Sequence, residues 1–498
     1  MLSAVRSSAL PTGLKLSHPI IRNLATQTQK HAPKKEGDIS SVFASLSGAE
    51  AVPLPARFAD IKRSLVANHE PAVVASWTRL LSNLRSEIEL ISEAGSDIIP
   101  TIEYSELNNH SRIQPFSKAL SKRGVAVIRG VIPEEEVLQW KADVRDYVVA
   151  NPQTKAFPAD NPAVYELYWS PTQIKARAHP NMVDIQRFLM GFWHSNDKNA
   201  MISTEHPLAY ADRVRIRMPG DAGFALGPHV DGGSAERWEP NGYGLGGPYN
   251  KVFEGAWEVF DPWESSSRLQ VESDLYNGPG ACSMFRMYQG WLSMSSTGPG
   301  EGTLLVNPML QAATAYYLLR PFFSPINADP SSSSFLDASN WAFDSEQTPL
   351  LQGATLGMAQ ELNNALHPHL DLEKTMVHVP RVQPGDYVAW HCDTIHAVDK
   401  VHNGTSDSSV LYIPACPMTE ANARYLVRQR DAFLEGTPAP DFPGGVGESK
   451  HVGRPETKDV EAVGGMEGLR AFGLAKWDVG PGSGTVGRLL RSVNGILG

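Results

Sequence analysis

The stretch GPHVDGGSAERW, residues 227–238, decides how this chain is read. Residues i and i+2 of an extended strand project from one face, so His229 and Asp231 can present an imidazole and a carboxylate to a single cation. The glycines beside them allow a turn directly after the pair. The pattern is common by itself. The chain has 15 His, and His-x-Asp recurs at His369/Asp371 and His391/Asp393. Only the surrounding sequence separates the three.

With 498 residues, 42% hydrophobic and 20% charged, the chain has ample material for a large core, either as several domains or as one elaborated β domain with helical extensions. The net charge is −10 and no Lys/Arg-rich block stands beyond the N-terminus, which argues against a nucleic-acid or anionic-membrane partner. Three cysteines occur (Cys282, Cys392, Cys416), none in a CxxC pair. That disfavours a disulfide scaffold or a structural zinc site and favours a reducing, intracellular compartment. No apolar run is long enough to span a bilayer. The first 35 residues carry Arg6, Lys15, Arg22, Lys30, Lys34 and Lys35, with no acidic residue before Glu36. This composition matches a mitochondrial transit peptide with a cleavage region near Leu24, or else a basic tail. The expected location is the mitochondrial matrix, otherwise the cytoplasm.

Apolar spacing of three and four predicts a helical lead-in over 56–105, and GVAVIRGVIPEEEV (124–137) switches from a β-branched strand to a helix. Pro133 and the glutamates after it suit that helix's first turn. From about residue 210 the texture is β: DRVRIRMPG, MFRMYQGWLSMSS, GTLLVNP, DYVAWHC and SVLYIPACP read as short strands cut by Gly and Pro. One domain is expected over 45–430, with a β core at about 120–415 and a mostly helical insertion at about 308–370. A Pro/Gly-rich extension, 431–498, is expected to pack on its surface. GYGLGG (242–247) matches a dinucleotide-loop pattern, but no apolar strand precedes it and Pro248 follows.

The three pairs can now be separated. His369/Asp371, in ELNNALHPHLDLEK, follows a helix and reads as a charged surface loop. His391/Asp393 lies close to His396, but three ligands would then crowd into six residues. His229/Asp231 stands 167 residues before His396. Two histidines and one carboxylate on one face of an octahedron suit non-haem iron, and a β-barrel supplies them from two strands across its mouth.

Here the sequence resembles a known family. GVAVIRGVIPEEEV resembles the opening strand and helix of the phytanoyl-CoA dioxygenase-like oxygenases, and GPHVDGG stands where their His-x-Asp does. WLSMSSTGPGEGTLLVNP is similar to their strand, acidic-Gly turn, strand and proline. PGDYVAWHCDTIHAVDKVHNGTS resembles their Gly-Asp turn, distal histidine and Asn-containing segment. ERW after the His-x-Asp, and the helical lead-in, resemble a bacterial and fungal subfamily known mainly as a domain of unknown function. The resemblance implies a mainly β chain with α elements. Its core would be a double-stranded β-helix (jelly-roll, cupin-like) with an N-terminal helical layer and a helical insertion. It also implies His229, Asp231 and His396 as ligands of Fe(II), with 2-oxoglutarate and molecular oxygen as co-substrates. A small-molecule substrate would be hydroxylated or otherwise oxidised, releasing succinate and CO2.

One departure matters. The family places an arginine shortly after the distal histidine to pair with the far carboxylate of 2-oxoglutarate, yet no arginine occurs between His396 and Arg424, and Ser409 stands near the expected place. A dicarboxylate still needs a cation, and a bidentate guanidinium is the usual choice. Arg286 is the favoured substitute, then Arg217, with Arg215 also on a predicted strand and Thr303 as a hydroxyl donor. Trp238, Trp257, Trp263 and Trp291 would line a pocket or pack a core. Two other classes fit the ligand set: a cupin-like metalloenzyme that does not use 2-oxoglutarate, and a catalytically silent β-helix that only binds.

Overall fold

Eight short strands that cross between two sheets set the architecture. The computed structural model describes residues 34–37, 39–47, 52–223, 225–278, 281–442, 444–480 and 484–498. The expected transit segment therefore lies, up to residue 33, outside the described residues. Among the described residues no helix is long and apolar enough to cross a membrane.

The eight strands are β1 (Val214–Arg217), β2 (His229–Val230), β3 (Tyr288–Ser293), β4 (Leu304–Val306), β5 (Val377–His378), β6 (Tyr387–His391), β7 (His396–Val398) and β8 (Ser408–Tyr412). In the large sheet they lie in the order β6-β3-β8-β1, and in the small sheet β2-β7-β4-β5. Every pairing among them is antiparallel. The chain thus passes from large to small sheet and back, with β4 and β5 successive in the small one. Val125–Arg129 and Thr101–Glu103 extend the large sheet past β6, while Val164–Tyr165 and Ala156–Phe157 extend it past β1.

Strands β3 and β6 are buried at every residue, so neither shows the regular alternation of a strand with one face in water. One face of the large sheet packs on helices: Leu292 and Leu411 join Phe116, Leu120, Val137, Trp140 and Leu189 in one cluster. The other face looks into the space between the sheets. Because strand side chains alternate, Val410 and Tyr412 of β8 share that inner side, and Leu411 points to the helices.

A second helical layer closes the small sheet. The Glu70–Ala94 helix buries Trp77, whose ring stacks on Phe323 at 4.3 Å and on Tyr316 at 5.4 Å. His369 belongs to this aromatic core, with its ring 4.7 Å from Trp341 and Nδ1 hydrogen-bonded to the Tyr316 hydroxyl. The expected charged surface loop at His369/Asp371 is therefore wrong for His369. Asp371 takes a left-handed turn (φ 44°) and pairs with Lys374.

The chain holds more helix than a mainly β reading allows; it is a mixed α/β protein with large, mostly antiparallel sheets. The 308–370 segment, expected to be mostly helical, has one regular helix, Leu310–Leu319, followed by a tight turn that contains Pro321. An antiparallel ladder, Phe323–Pro325 with Trp341–Phe343, follows it. Beyond the Glu420–Glu435 helix the Pro/Gly-rich stretch gives way to helices Thr457–Ala471 and Gly484–Leu497, the latter burying Leu489, Leu490, Val493 and Leu497.

Three interior histidines make stability depend on pH. Burial pushes His367, His369 and His391 down to about 3, from an ordinary 6.5. The unfolded chain takes up protons below about 6.5 that the folded chain refuses, so their contribution is complete above that pH and is lost on descending toward about 3. Unfolding free energy from urea titration should fall steadily from about pH 6.5 to about pH 5, and His369→Gln should flatten part of the slope. A wild-type stability constant over that interval would contradict the assignment.

Candidate metal centre

Backbone pairing in the small sheet puts His396 directly opposite His229. Their rings are 4.1 Å apart between centroids. Two residues past His229 the chain turns at Gly232 and Gly233, with φ of 83° and 81°. A Cβ on Gly233 would stand 2.5 Å from the Ser273 carbonyl oxygen, so this turn needs glycine. The turn leaves Asp231 between the imidazoles: Oδ1 is 3.7 Å from His229 Nε2 and Oδ2 is 3.7 Å from His396 Nε2.

The orientation of both rings is fixed from behind. His229 Nδ1 donates to the Gly227 carbonyl at 2.7 Å, and His396 Nδ1 to the Thr394 carbonyl at 3.1 Å. A carbonyl can only accept, so the proton sits on Nδ1 and each Nε2 turns a lone pair inward. Burial, then the neighbouring His229, lowers His396 to about 3, which keeps it neutral. Burial alone would raise the Asp231 carboxyl, but His229, His396 and Arg286 outweigh it and hold it below the ordinary range. Neutral imidazoles and an ionised carboxylate are the forms that bind a divalent metal. Such donors stand about 3 Å apart when bonded at right angles to one ion, so the set fits with sub-ångström closure.

Arg237 steadies the ligand loop. Its buried guanidinium donates to the carbonyl of Asp231 at 2.5 Å and to that of Gly233, and lies 5.5 Å from the Tyr243 ring. This is what the ERW segment does; sequence reasoning gave it no role.

His391, Cys392 and Asp393 also gather closely enough for a metal, but their donors are already used. His391 Nε2 donates to the Pro262 carbonyl at 2.9 Å and Nδ1 accepts from the Asp393 amide at 3.0 Å. Its ring is sandwiched by Trp193 at 4.7 Å and Trp263 at 4.8 Å. Asp393 pairs with Arg268 at 2.5 Å and accepts from Tyr249 at 2.7 Å. Burial would raise this carboxyl, but Arg268 and His391 bring it to about 2. The cluster is a satisfied interior ion pair.

The centre opens into a cavity between the sheets lined by Arg213, Arg215, Arg286, Gln289, Trp291 and Tyr412. Phe43 of the N-terminal segment covers it, edge-on to the His229 ring at 4.7 Å. That segment is tied down through Lys34, which pairs with Asp274 and with Asp441. Of the other tryptophans, Trp238 and Trp257 join the core between small sheet and helical layer.

The expected carboxylate anchors divide. Arg217 does not reach the cavity: it is fully buried against Asp221 at 2.6 Å and the carbonyls of Asp399 and Lys400. Ser409 lies on the opposite side of β8 from Tyr412 and donates to Asp407. Thr303 is held through its amide by Asp399, and its hydroxyl is outside the cavity lining. Arg286 does line the cavity, with Nη2 3.9 Å from Asp231 Oδ2. Arg215, the lesser alternative from the sequence, lines the cavity too. It is 2% exposed, and Nη2 lies 3.3 Å from both Ser408 Oγ and the Gly302 carbonyl. Its Nε has no partner, and it makes no ion pair among the described residues. β1 pairs with β8, and Arg215 stands opposite Val410.

Single replacement of His229, Asp231 or His396 by Ala should abolish Fe(II) retention in folded protein, read as metal content after anaerobic desalting. His391→Ala should cost roughly 2–4 kcal/mol of stability through the cavity left between the tryptophans, yet keep the metal. Loss of metal in His391→Ala with retention in His396→Ala would overturn the assignment.

Known proteins share this arrangement of chain. The Escherichia coli K12 protein YbiU is 31% identical over 401 residues, 78% of this chain and 88% of that protein. The crystal structure of GlcNAc Inducible Gene 2, GIG2 (DUF1479), from Candida albicans superposes with a TM-score of 0.80 at 31% identity, covering 90% of this chain and 96% of its own. That of the E. coli protein JW0805 superposes with a TM-score of 0.71 at 29% identity, covering 85% and 99%. The family model Gig2-like matches residues 52–474, and the chain belongs to the Gig2-like family.

Proposed function

We propose that this chain is a non-haem Fe(II)- and 2-oxoglutarate-dependent oxygenase of the phytanoyl-CoA dioxygenase-like type, built on a double-stranded β-helix. It would oxidise a small molecule and release succinate and CO2. One observation carries the reading: a two-histidine, one-carboxylate set with both Nε2 lone pairs turned inward opens into the same cavity as Arg215, a buried cation without a carboxylate partner among the described residues. The alternation of eight antiparallel strands between two sheets supports the β-helix.

Iron held here would supply the activation of oxygen, coupled to oxidative decarboxylation of 2-oxoglutarate. The chain's own residues have separable tasks. His229, Asp231 and His396 would hold the metal, and the cavity beside them would admit the co-substrates. Arg215 offers a fork to the far carboxylate of 2-oxoglutarate, and its Nη2 is steadied by donating to Ser408 Oγ. Arg286 is too near Asp231 for that task, because two methylenes separate the chelating end of 2-oxoglutarate from its far carboxylate. Phe43, Trp390 and Trp291 wall the site against water, which strengthens each of these charge interactions.

Oxygen uptake by the Fe(II)-loaded protein should require 2-oxoglutarate and yield succinate. Arg215→Gln should weaken 2-oxoglutarate binding by about 3–5 kcal/mol while Fe(II) retention stays near wild type. A 2-oxoglutarate constant unchanged in Arg215→Gln would remove that residue from the anchor. Turnover that needs neither oxygen nor 2-oxoglutarate would overturn the proposal as a whole.

A further inference from the structure

The cavity carries more positive charge than iron and 2-oxoglutarate use. Its charged lining is three guanidinium groups, Arg213, Arg215 and Arg286, against two carboxylates, Asp212 and Asp231. Arg213 is matched by Asp212, with Nε 3.2 Å from Oδ1. On the reading proposed above, Arg215 is matched by the far carboxylate of 2-oxoglutarate, while the near carboxylate and Asp231 together balance the divalent metal. Arg286 is left over.

Its surroundings sharpen the point. The Arg286 side chain is 12% exposed and approaches a single carboxylate among the described residues, Asp231, at 3.9 Å. The guanidinium rests over the Tyr210 ring at 5.5 Å. A cation committed to structure at such burial is normally saturated, as Arg217 is by Asp221 and two carbonyls and Arg268 by Asp393. Close by in sequence, Gln289 of β3 lines the same cavity, is 6% exposed, and has no hydrogen-bond partner for its amide Nε2 among the described residues. Buried donors of this kind are satisfied in native proteins by protein, water or ligand acceptors, and one that lines a cavity beside a buried cation is placed to meet a ligand.

We infer that Arg286 and Gln289 form the binding site for an acidic group on the primary substrate, which is a small organic anion bearing a carboxylate or a phosphate. Arg286 supplies the charge and the paired N–H donors; Gln289 supplies a further N–H. Because Arg286 stands beside a proposed metal ligand, the oxidised carbon lies within a few bonds of the acidic group. This rests on the Fe(II)/2-oxoglutarate reading for the position of the metal and the use made of Arg215.

The test uses full-length protein loaded anaerobically with Fe(II) and 2-oxoglutarate, whose chelate gives a weak visible charge-transfer band. Pentanoate, phenylacetate and phenyl phosphate are titrated beside the neutral counterparts pentanamide, phenylacetamide and phenol. At least one anion should perturb the band, and its neutral counterpart should bind about a hundredfold more weakly. Arg286→Gln should erase that preference while the band itself persists, and Gln289→Leu should weaken the anion by about tenfold. A carboxylate or a phosphate preference in the panel tells the two acid types apart. Equal binding of acid and amide, a preference that survives Arg286→Gln, or no binding by any of the anions overturns the inference. If no band forms with wild-type protein, the 2-oxoglutarate reading fails instead. The same panel is then followed on Co(II)-loaded protein, where the preference for acid over amide still decides the question.

Discussion

The centre depends on one backbone pairing, that of His396 with His229 across the small sheet. A slip of one residue would turn His396 away and bring Ile395 or Ala397 to the same place, because side chains alternate along a strand. Most of what surrounds the pair serves to prevent that slip. His396 is also in register with Val306 on its other side, and His229 with Glu361. The carbonyls of Gly227 and Thr394 fix both rings, and Arg237 fixes the backbone of Asp231. Five contacts thus converge on the three residues, a degree of preorganisation that packing alone does not demand.

The interior arginines fall into two kinds, and the difference carries the functional reading. Arg217 and Arg268 are closed off by Asp221 and Asp393, so their burial is explained within the chain. Arg215 is as deeply placed and Arg286 nearly so, but both are under-matched, and both line the cavity that ends at the histidine pair. Buried charge is costly unless paired, so under-matched cations gathered at one cavity point to anionic ligands. The enclosure supplied by Phe43 and the Lys34 tether makes each such pairing stronger by keeping water away.

Much of this was legible in the sequence, for reasons that can be named. His229, Asp231 and His396 were found because i, i+2 spacing has one geometric meaning in a strand and because a resemblance supplied the register of the distal histidine. The strands β3, β6 and β8 were visible as β-branched and aromatic runs cut by Gly and Pro. The arginine was harder. Arg215 and Arg217 both face inward from one strand, and only the tertiary partners, Asp221 for one and Ser408 for the other, tell them apart. Ser409 was one residue out of phase: on β8 the side facing Arg215 belongs to Ser408. His369 looked like surface because its flanks are charged, although the ring packs among Trp77, Tyr316 and Trp341. The terminal helix was hidden by the glycines around it, even though Leu489, Leu490, Val493 and Leu497 carry a helical spacing.

The most direct test of the centre is an iron-edge anomalous diffraction map from crystals grown without oxygen in the presence of Fe(II). The account predicts one strong peak bonded to His229 Nε2, His396 Nε2 and an Asp231 carboxylate oxygen. A peak at His391 and Asp393, or no peak among the three proposed ligands, would contradict it.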